Sequence, residues 1–380
     1  MKQTDLADDS LKLGFGYMRL PLKDPTDQTS FDYEVLNKMV DTFLERGFTY
    51  FDTAWMYMDY QSEIALRESL VKRHPRNSFR VASKLPTMML KRREDMAEIF
   101  NRQLEKTGVD RFDRYLIHCL TTDNYRTARE FDAFGFVSEQ KKAGRIDRFG
   151  FSFHDTPELL DEILTAHPET EFVQLQINYL DWNDAAIQSR RCYEIARKHG
   201  KPVIVMEPVK GGILANVPST AEKLFRKAAP EMSPAAWALR FAASLEGVEM
   251  VLSGMTTFAQ LDDNTTAMRK FKPLDDRERE IIAEAVRIIG AATAIPCTAC
   301  QYCVETCPRK IPIPNYFALY NTEKQVLPKD FSIQKFYYGN YIRSHAKASA
   351  CIACGQCESH CPQHIPIMNW LRQVAETFEK

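Results

Sequence analysis

Three things are scarce in this chain of 380 residues: net charge, long apolar runs and, before position 297, cysteine. The formal charge of -1 comes from 50 basic and 51 acidic residues, which argues against a general surface for nucleic acid or anionic membranes. No apolar stretch approaches the roughly 18 residues that span a bilayer. No apolar signal opens the chain either, so the sequence reads as a soluble cytoplasmic protein. Also missing is a G-x-G-x-x-G turn after the first candidate strand, the phosphate-binding fingerprint of open dinucleotide-binding sheets. No compact flavin motif is present. Cys119 and Cys192 are the two cysteines of the upstream region, and both read as small buried hydrophobes rather than reactive thiols. With 44% apolar and 27% charged residues, the chain can bury one large core and carry a satellite domain.

The cysteines that are present form one pattern twice: Cys297-x2-Cys300-x2-Cys303-x3-Cys307-Pro308, then Cys351-x2-Cys354-x2-Cys357-x3-Cys361-Pro362. Three cysteines spaced by three can wrap one corner of an iron-sulfur cube, leaving its fourth iron to a thiolate from elsewhere. In two-cluster bacterial ferredoxins, whose signature this is, that thiolate comes from the other motif. One 4Fe-4S cluster is therefore expected on Cys297, Cys300, Cys303 and Cys361, and a second on Cys351, Cys354, Cys357 and Cys307. The competing metal is structural zinc, which also uses C-x2-C pairs but explains neither the fourth cysteine of each copy nor its proline. Disulfides are disfavoured in a reducing compartment. The repeat extends to Ile311-Pro312-Ile313-x-Asn315 and Ile365-Pro366-Ile367-x-Asn369, as if each unit ended by opening an equivalent helix or turn.

Upstream of residue 290 the pattern alternates short apolar runs with amphipathic stretches of helical period. Strands are expected at Lys12 to Phe15, Thr49 to Asp52, Arg80 to Lys84, Arg114 to His118, Arg148 to Ser152, Phe172 to Ile177, Pro202 to Met206 and Met250 to Gly254. Helices are expected at Tyr33 to Glu45, Glu63 to Lys72, Ala185 to Lys198 and Phe258 to Arg269. About eight such units suit a closed (β/α)8 TIM barrel better than an open doubly wound sheet. A further helix over Asp276 to Gly290 would close this barrel domain, 1–290. Residues 291–380 would form a small, mainly α-helical ferredoxin-like iron-sulfur domain, entered through Ile295-Pro296-Cys297. Its aromatic run, including Tyr316, Phe317, Tyr320, Phe331, Phe336, Tyr337, Tyr338 and Tyr341, reads as packing around the clusters.

Chemistry in such a barrel sits at the C-terminal ends of the strands. Four suitable groups stand there: Asp52 closing the second strand, Tyr57 in the loop after it, Lys84 closing the third and His118 closing the fourth. A tyrosine near its ordinary pKa of about 10 is a sluggish acid, and a neighbouring ammonium stabilises its phenolate and lowers that value. Lys84 would do this, Asp52 would hold Lys84 charged and in place, and His118 would bind the substrate oxygen or relay the proton.

Phe51-Asp52-Thr53-Ala54-x-x-Tyr57, Ser83-Lys84 and Leu116-Ile117-His118 together resemble the aldo-keto reductases over roughly residues 11 to 270. Supporting segments are Leu13-Gly14-Phe15-Gly16, Arg19-Leu20-Pro21, Ile146 to Ser152, Gln176-x-x-Tyr179, Pro208-x-x-x-Gly212 and Gly254 with Asn264. The resemblance implies a TIM barrel that uses NADPH or NADH on aldehydes and ketones, with Asp52, Tyr57, Lys84 and His118 as its tetrad. It also implies nicotinamide contacts at Ser152 and Gln176 and pyrophosphate contacts at Gly254, Met255 and Thr256. Gln260 and Asn264 belong to the segment that grips the adenosine end. Three positions depart from the family pattern: Phe153 replaces an asparagine, Met206 a tyrosine that stacks on nicotinamide, and Gln260 an arginine on the 2'-phosphate.

The two halves together resemble aldo-keto reductases that carry a C-terminal two-cluster domain. A nicotinamide delivers two electrons as hydride whereas each cluster takes one, so a flavin or a partner protein would mediate, or the clusters would serve a separate half-reaction. The expected partners are a small carbonyl or alcohol substrate and a ferredoxin or other redox protein. The alternatives are clusters that only staple the domain to the barrel, or an electron-transfer adaptor using the barrel as scaffold. Met18, Trp55, Met56, Met88 and Met89 are candidates for an apolar substrate pocket or for packing under a loop.

Overall fold

The computed structural model describes residues 11–291, 294–295, 297, 299, 301–325, 332–361 and 363–380; Pro296, Cys300, Phe331 and Pro362 lie outside the described residues. Eight strands, β1 (Leu13–Gly16), β2 (Tyr50–Asp52), β3 (Arg80–Leu85), β4 (Phe112–Leu120), β5 (Ile146–Phe153), β6 (Phe172–Gln176), β7 (Val203–Met206) and β8 (Val248–Gly254), close into a parallel barrel. The last strand pairs with the first through Leu13 and Val251.

Alternation along these strands decides what faces the lumen. Tyr50, Ala82, Leu116, Phe172, Ile204 and Leu252 pack together as one apolar layer, while their chain neighbours Phe51, Val81, Ile117, Val173, Val203 and Val251 belong to the shell under the helices. Gly150 takes the place of this layer on β5, because a Cβ there would lie 2.3 Å from the Phe172 carbonyl oxygen. Two residues further along come Asp52, Lys84, His118, Ser152, Gln174 and Met206, which alternation turns inward one layer nearer the C-terminal mouth.

The helices follow from their caps and spacing. Tyr33–Glu45 opens where the Asp32 side chain accepts from the Val35 N–H, and it buries Leu36, Met39, Val40 and Phe43 on one face. Phe258–Arg269 opens with a reciprocal capping box between Thr257 and Gln260. Other elements depart from the sequence expectation. The helix expected from Glu63 runs as an α-turn, Ser62–Leu66, and then a wider π-turn, Arg67–Val71. The helix expected from Ala185 begins at Ser189, because Asp184 Oδ1 ties the Ala186 and Ile187 N–H groups in a turn and Gln188 is left-handed (φ 53). Gly290 does not end its helix, which spans Asp276–Ala291. On β4 the strand continues past His118 through an irregularity between Ile117 and Leu120, where Cys119 takes φ 57.

Downstream, the helices Ile313–Gln325, Ile333–Ser344 and Ile367–Phe378 surround a second apolar cluster. The two Ile-Pro-Ile repeats open the first and third of these with the same bond, 2.8 Å from the second isoleucine N–H to the first isoleucine carbonyl. The cysteine loops repeat as well: Ala299 and Ala353 are left-handed at φ 56 and 53, and Lys310 and His364 at φ 53 and 51. Barrel residues Ala186 and Ile187 belong to this cluster, which also includes Cys303 and Cys307. The helix Ile333–Ser344 lies against the loops that follow β4, β5 and β6. Asn340 donates to the His154 carbonyl (3.2 Å), the Tyr341 hydroxyl to the Ala186 carbonyl (2.9 Å), and Arg343 pairs with Asp123 (2.5 Å). Among the described residues no helix is long and apolar enough to cross a membrane.

Candidate active site and cluster sites

The four tetrad positions meet at the barrel mouth. Lys84 is fully buried; its Nζ donates to Asp52 Oδ1 at 2.6 Å and to the Thr53 carbonyl at 2.8 Å. The same ammonium lies 4.9 Å from the centre of the Tyr57 ring. The His118 ring stands edge-on to Tyr57 with centroids 5.9 Å apart. Tyr57 lies in a short turn, Tyr57–Tyr60, rather than an open loop, and its N–H donates to the Ala54 carbonyl. The next three residues, Met58, Asp59 and Tyr60, are all left-handed, which costs on the order of 1–2 kcal/mol each for non-glycine residues. Such strain beside a catalytic candidate persists only where packing fixes it, and Met58 is buried.

Electrostatics assign the protonation states. Burial works against the Lys84 charge, but Asp52 and Tyr57 outweigh it and the ammonium is held above its usual range. Burial pushes the Asp52 carboxyl up against the pull of Lys84. The sequence reading expects Lys84 to bring the Tyr57 phenol below 10; here burial wins and the phenol lies above its ordinary value, with Lys84 opposing. Burial, reinforced by Lys84 and His154, holds His118 well below the usual imidazole range, so the ring is neutral. Its Nδ1 is buried without a partner among the described residues.

Beside the tetrad, the residues implied for the nicotinamide and its phosphates fall into two groups. Ser152 on β5 and Gln176 on β6 are both buried and share one face, since Gln176 lies two places beyond Gln174, the register partner of Ser152. Gln176 Oε1 is a buried acceptor with no partner among the described residues, which fits a polar group inserted from the mouth. At the second group, around the start of the helix Phe258–Arg269, Met255 is buried in the barrel core and Asn264 donates to Ser253 Oγ at 3.0 Å. The Gln260 side chain is engaged as a cap, accepting from the Thr256 and Thr257 N–H groups at 2.8 and 3.3 Å. Met206 accepts weakly from Gln174 (3.5 Å), and Glu207 pairs with Arg19 at 3.6 Å. Of the candidate pocket residues, Met18 and Met88 are exposed.

Several participants escape the sequence reading. The Thr53 carbonyl holds Lys84, His154 touches the C-terminal domain, and Asp181 forms a buried ion pair with Lys210. Alternation could have pointed to the strand-end carbonyl. Nothing in the spacing of Asp181 and Lys210 signals their pairing, which depends on the loop after β7. Cys119 and Cys192 are thiols pushed up by burial to about 12, as inert hydrophobes would be.

In the C-terminal region Cys307 joins Cys351, Cys354 and Cys357 around one hollow, whose remaining walls include Ile311, Ile313, Met368 and Leu371. Cys297, Cys303 and Cys361 line a second hollow with Pro314, Phe317, Ile365 and Ile367. Cys300 is outside the described residues. Each hollow thus draws one cysteine from the opposite repeat, the arrangement that a pair of cubic clusters requires. Among the described residues no group of three His, Cys, Asp or Glu side chains that could hold a single metal ion is found. Asn315, next to Pro314 of the second hollow, donates to the Ala185 carbonyl at 2.9 Å. At the first hollow, Cys354 is exposed.

Comparison with known proteins accords with these two halves. The sequence model of the Aldo/keto reductase family matches residues 12–287, and that of the 4Fe-4S dicluster domain matches residues 296–365. Among solved structures, the chain is similar to an aldo-keto reductase from Klebsiella pneumoniae in complex with NADPH, at 16% identity and a TM-score of 0.56, covering 73% of this chain and 90% of that one. It is also similar to an aldo-keto reductase from Bacillus halodurans in its holo form, at 23% identity and a TM-score of 0.55, covering 75% and 96%. At these identities the likeness is one of fold. None of the curated proteins compared with the chain matches it.

Proposed function

Because the chain belongs to the aldo/keto reductase family and carries a C-terminal 4Fe-4S dicluster domain, we propose that it interconverts a small carbonyl and its alcohol with NADPH or NADH, with Tyr57 as general acid and base. The observation that carries this reading is the buried Lys84–Asp52 pair beneath Tyr57, with a neutral His118 beside it. In reduction the Tyr57 O–H donates its proton to the carbonyl oxygen. Lys84, charged and without freedom to move, stabilises the phenolate left behind, and Asp52 and the Thr53 carbonyl fix where that charge sits. Neutral His118 orients the carbonyl oxygen without competing for the proton. The nicotinamide, when bound, supplies or accepts the hydride. Ser152 and Gln176 would hold its carboxamide, the backbone at Gly254, Met255 and Thr256 its pyrophosphate, and Asn264 and Gln260 would border the adenosine end.

The chain divides at 290/291 into a reductase domain and an electron-carrying domain. Cys297, Cys300, Cys303 and Cys361 hold one cluster, and Cys307, Cys351, Cys354 and Cys357 hold the other. Two clusters at one electron each match the two electrons of one hydride. A one-electron mediator, a flavin or a ferredoxin-like partner, completes the circuit. A second reading has an observation of its own: Ala186 and Ile187, in the loop after β6, belong to the same apolar cluster as Cys303 and Cys307, so bound iron-sulfur clusters would also staple that loop to the domain.

The test of the barrel reading is Tyr57→Phe. Carbonyl turnover should fall by about 10²–10⁴-fold while the iron-sulfur absorption is unchanged. Undiminished turnover would assign the acid elsewhere.

A further inference from the structure

The nicotinamide reading leaves open what makes Gln176 present its oxygen rather than its NH2 group. A carboxamide side chain has two nearly isosteric ends, and packing alone does not choose between them. Here the choice is chemical. Gln176 Nε2 donates to Asp181 Oδ2 at 2.9 Å, and the other carboxylate oxygen, Oδ1, is paired with the Lys210 ammonium. A carboxylate in an ion pair can only accept, so turning Gln176 over would set two oxygens against each other in a buried place. Asp181 is itself fixed. Asn178 Nδ2 donates to the same Oδ2 at 2.7 Å and to the Glu207 carbonyl at 3.1 Å, and Asn178 Oδ1 accepts from the Asp181 N–H at 2.8 Å. Asp181, Asn178 and Lys210 are all buried, and both Glu207 and Lys210 are left-handed, at φ 55 and 47. The loop after β7 is thereby bent so that its lysine reaches back to the end of β6.

On the neighbouring strand Ser152 Oγ accepts from the Cys119 N–H at 2.7 Å, which leaves its hydroxyl proton to donate. On these two neighbouring strands, then, the Ser152 O–H is left to donate, and Gln176 Oε1 is a buried acceptor without a partner among the described residues. A primary carboxamide presents the complement, a carbonyl that accepts beside an NH2 that donates. We propose that Asp181, paired with Lys210, is a positioning residue that locks the Gln176 carboxamide oxygen-inward, and so makes the site select a primary carboxamide on its dinucleotide. This rests on the nicotinamide reading and adds to it the group that enforces selection.

The test uses the full chain with its clusters, under anaerobic conditions, and two probes: an oxidised nicotinamide dinucleotide and its 3-acetylpyridine analogue. The analogue keeps the carbonyl but replaces the NH2 by a methyl group. The wild type should bind the carboxamide form more tightly by about five- to tenfold, the worth of one hydrogen bond to a buried acceptor. In Asp181→Asn the partner of Gln176 can either donate or accept, so the lock is lost and the preference should fall towards one, with iron content unchanged. Asp181→Asn with Lys210→Gln replaces the ion pair by a neutral hydrogen-bonding pair and keeps the test open if the single variant folds poorly; the preference should fall there too. A folded variant that retains the full wild-type preference overturns the proposal. Equal wild-type affinity for both probes overturns the lock but leaves the nicotinamide reading standing, whereas no affinity for either removes both.

Discussion

Asp52 and Lys84 come from adjacent strands whose register is set by a closed barrel, and each is fixed before any ligand arrives. The cysteines come from loops in which Ala299, Lys310, Ala353 and His364 are left-handed, and their sulfurs surround hollows lined by isoleucine and proline. One region orders its chemistry with strand pairing and a buried ion pair; the other orders loops around a group that the chain itself does not supply. The barrel site should therefore respond to charge and proton changes locally, and the cluster sites to loss of any one ligand, across the repeat.

The largest effect should come from breaking the barrel side. Lys84→Met leaves the Asp52 carboxylate buried without its cation, which should cost about 3–5 kcal/mol in denaturant unfolding and lower turnover by at least about 100-fold. Cluster absorption should survive if the two regions order themselves independently, and its loss would break the contrast. On the cluster side, Cys361→Ala removes a ligand in the second motif yet should empty the site of the first, leaving about half the iron. Cys307→Ala should do the converse, and iron analysis with electron paramagnetic resonance would tell which cluster remains. Loss of the cluster belonging to the mutated motif itself would contradict the exchanged ligands.

The seam between the regions gives a smaller, pH-dependent effect. Burial holds His154 at about 4 against 6.5 unfolded, so the unfolded chain takes up a proton that the folded chain refuses between these values. Stability should be full above about pH 6.5 and fall as the pH drops to about 4, by about 3 kcal/mol from this residue. His154→Asn should flatten that part of the profile; an unchanged slope would show that His154 does not govern it. Smallest is Tyr341→Phe, which deletes a hydroxyl that donates to the Ala186 carbonyl and accepts from Asn315 Nδ2, and should cost about 1–2 kcal/mol, with turnover unaltered.

Much of this was legible in the sequence because it rests on short periods. Alternation and strand-end position put Asp52, Lys84 and His118 at one mouth, and cysteine spacing put Cys307 with the second motif. Two helices, Tyr33–Glu45 and Phe258–Arg269, match their expected bounds because caps and spacing agree there. What escaped depends on three dimensions. The irregularity at Cys119, the π-turn at Arg67–Val71 and the early turn at Ala185 are set by packing and by single side chains such as Asp184. The direction of the Tyr57 shift was misjudged because the proximity of Lys84 can be read from the sequence, whereas the extent of burial cannot. Gln260, expected at the adenosine end, also caps the helix Phe258–Arg269 by accepting from the Thr256 and Thr257 N–H groups.

The most direct test of the central claim, that barrel and clusters belong to one redox circuit, is anaerobic. NADPH, and separately NADH, is added to the purified protein with its carbonyl substrate withheld, and the visible iron-sulfur absorption is followed, with and without added flavin. Bleaching at up to one hydride per two clusters is the result predicted here. No bleaching under any of these conditions, with the clusters still reducible by dithionite, would contradict it and leave the clusters as a staple on a reductase.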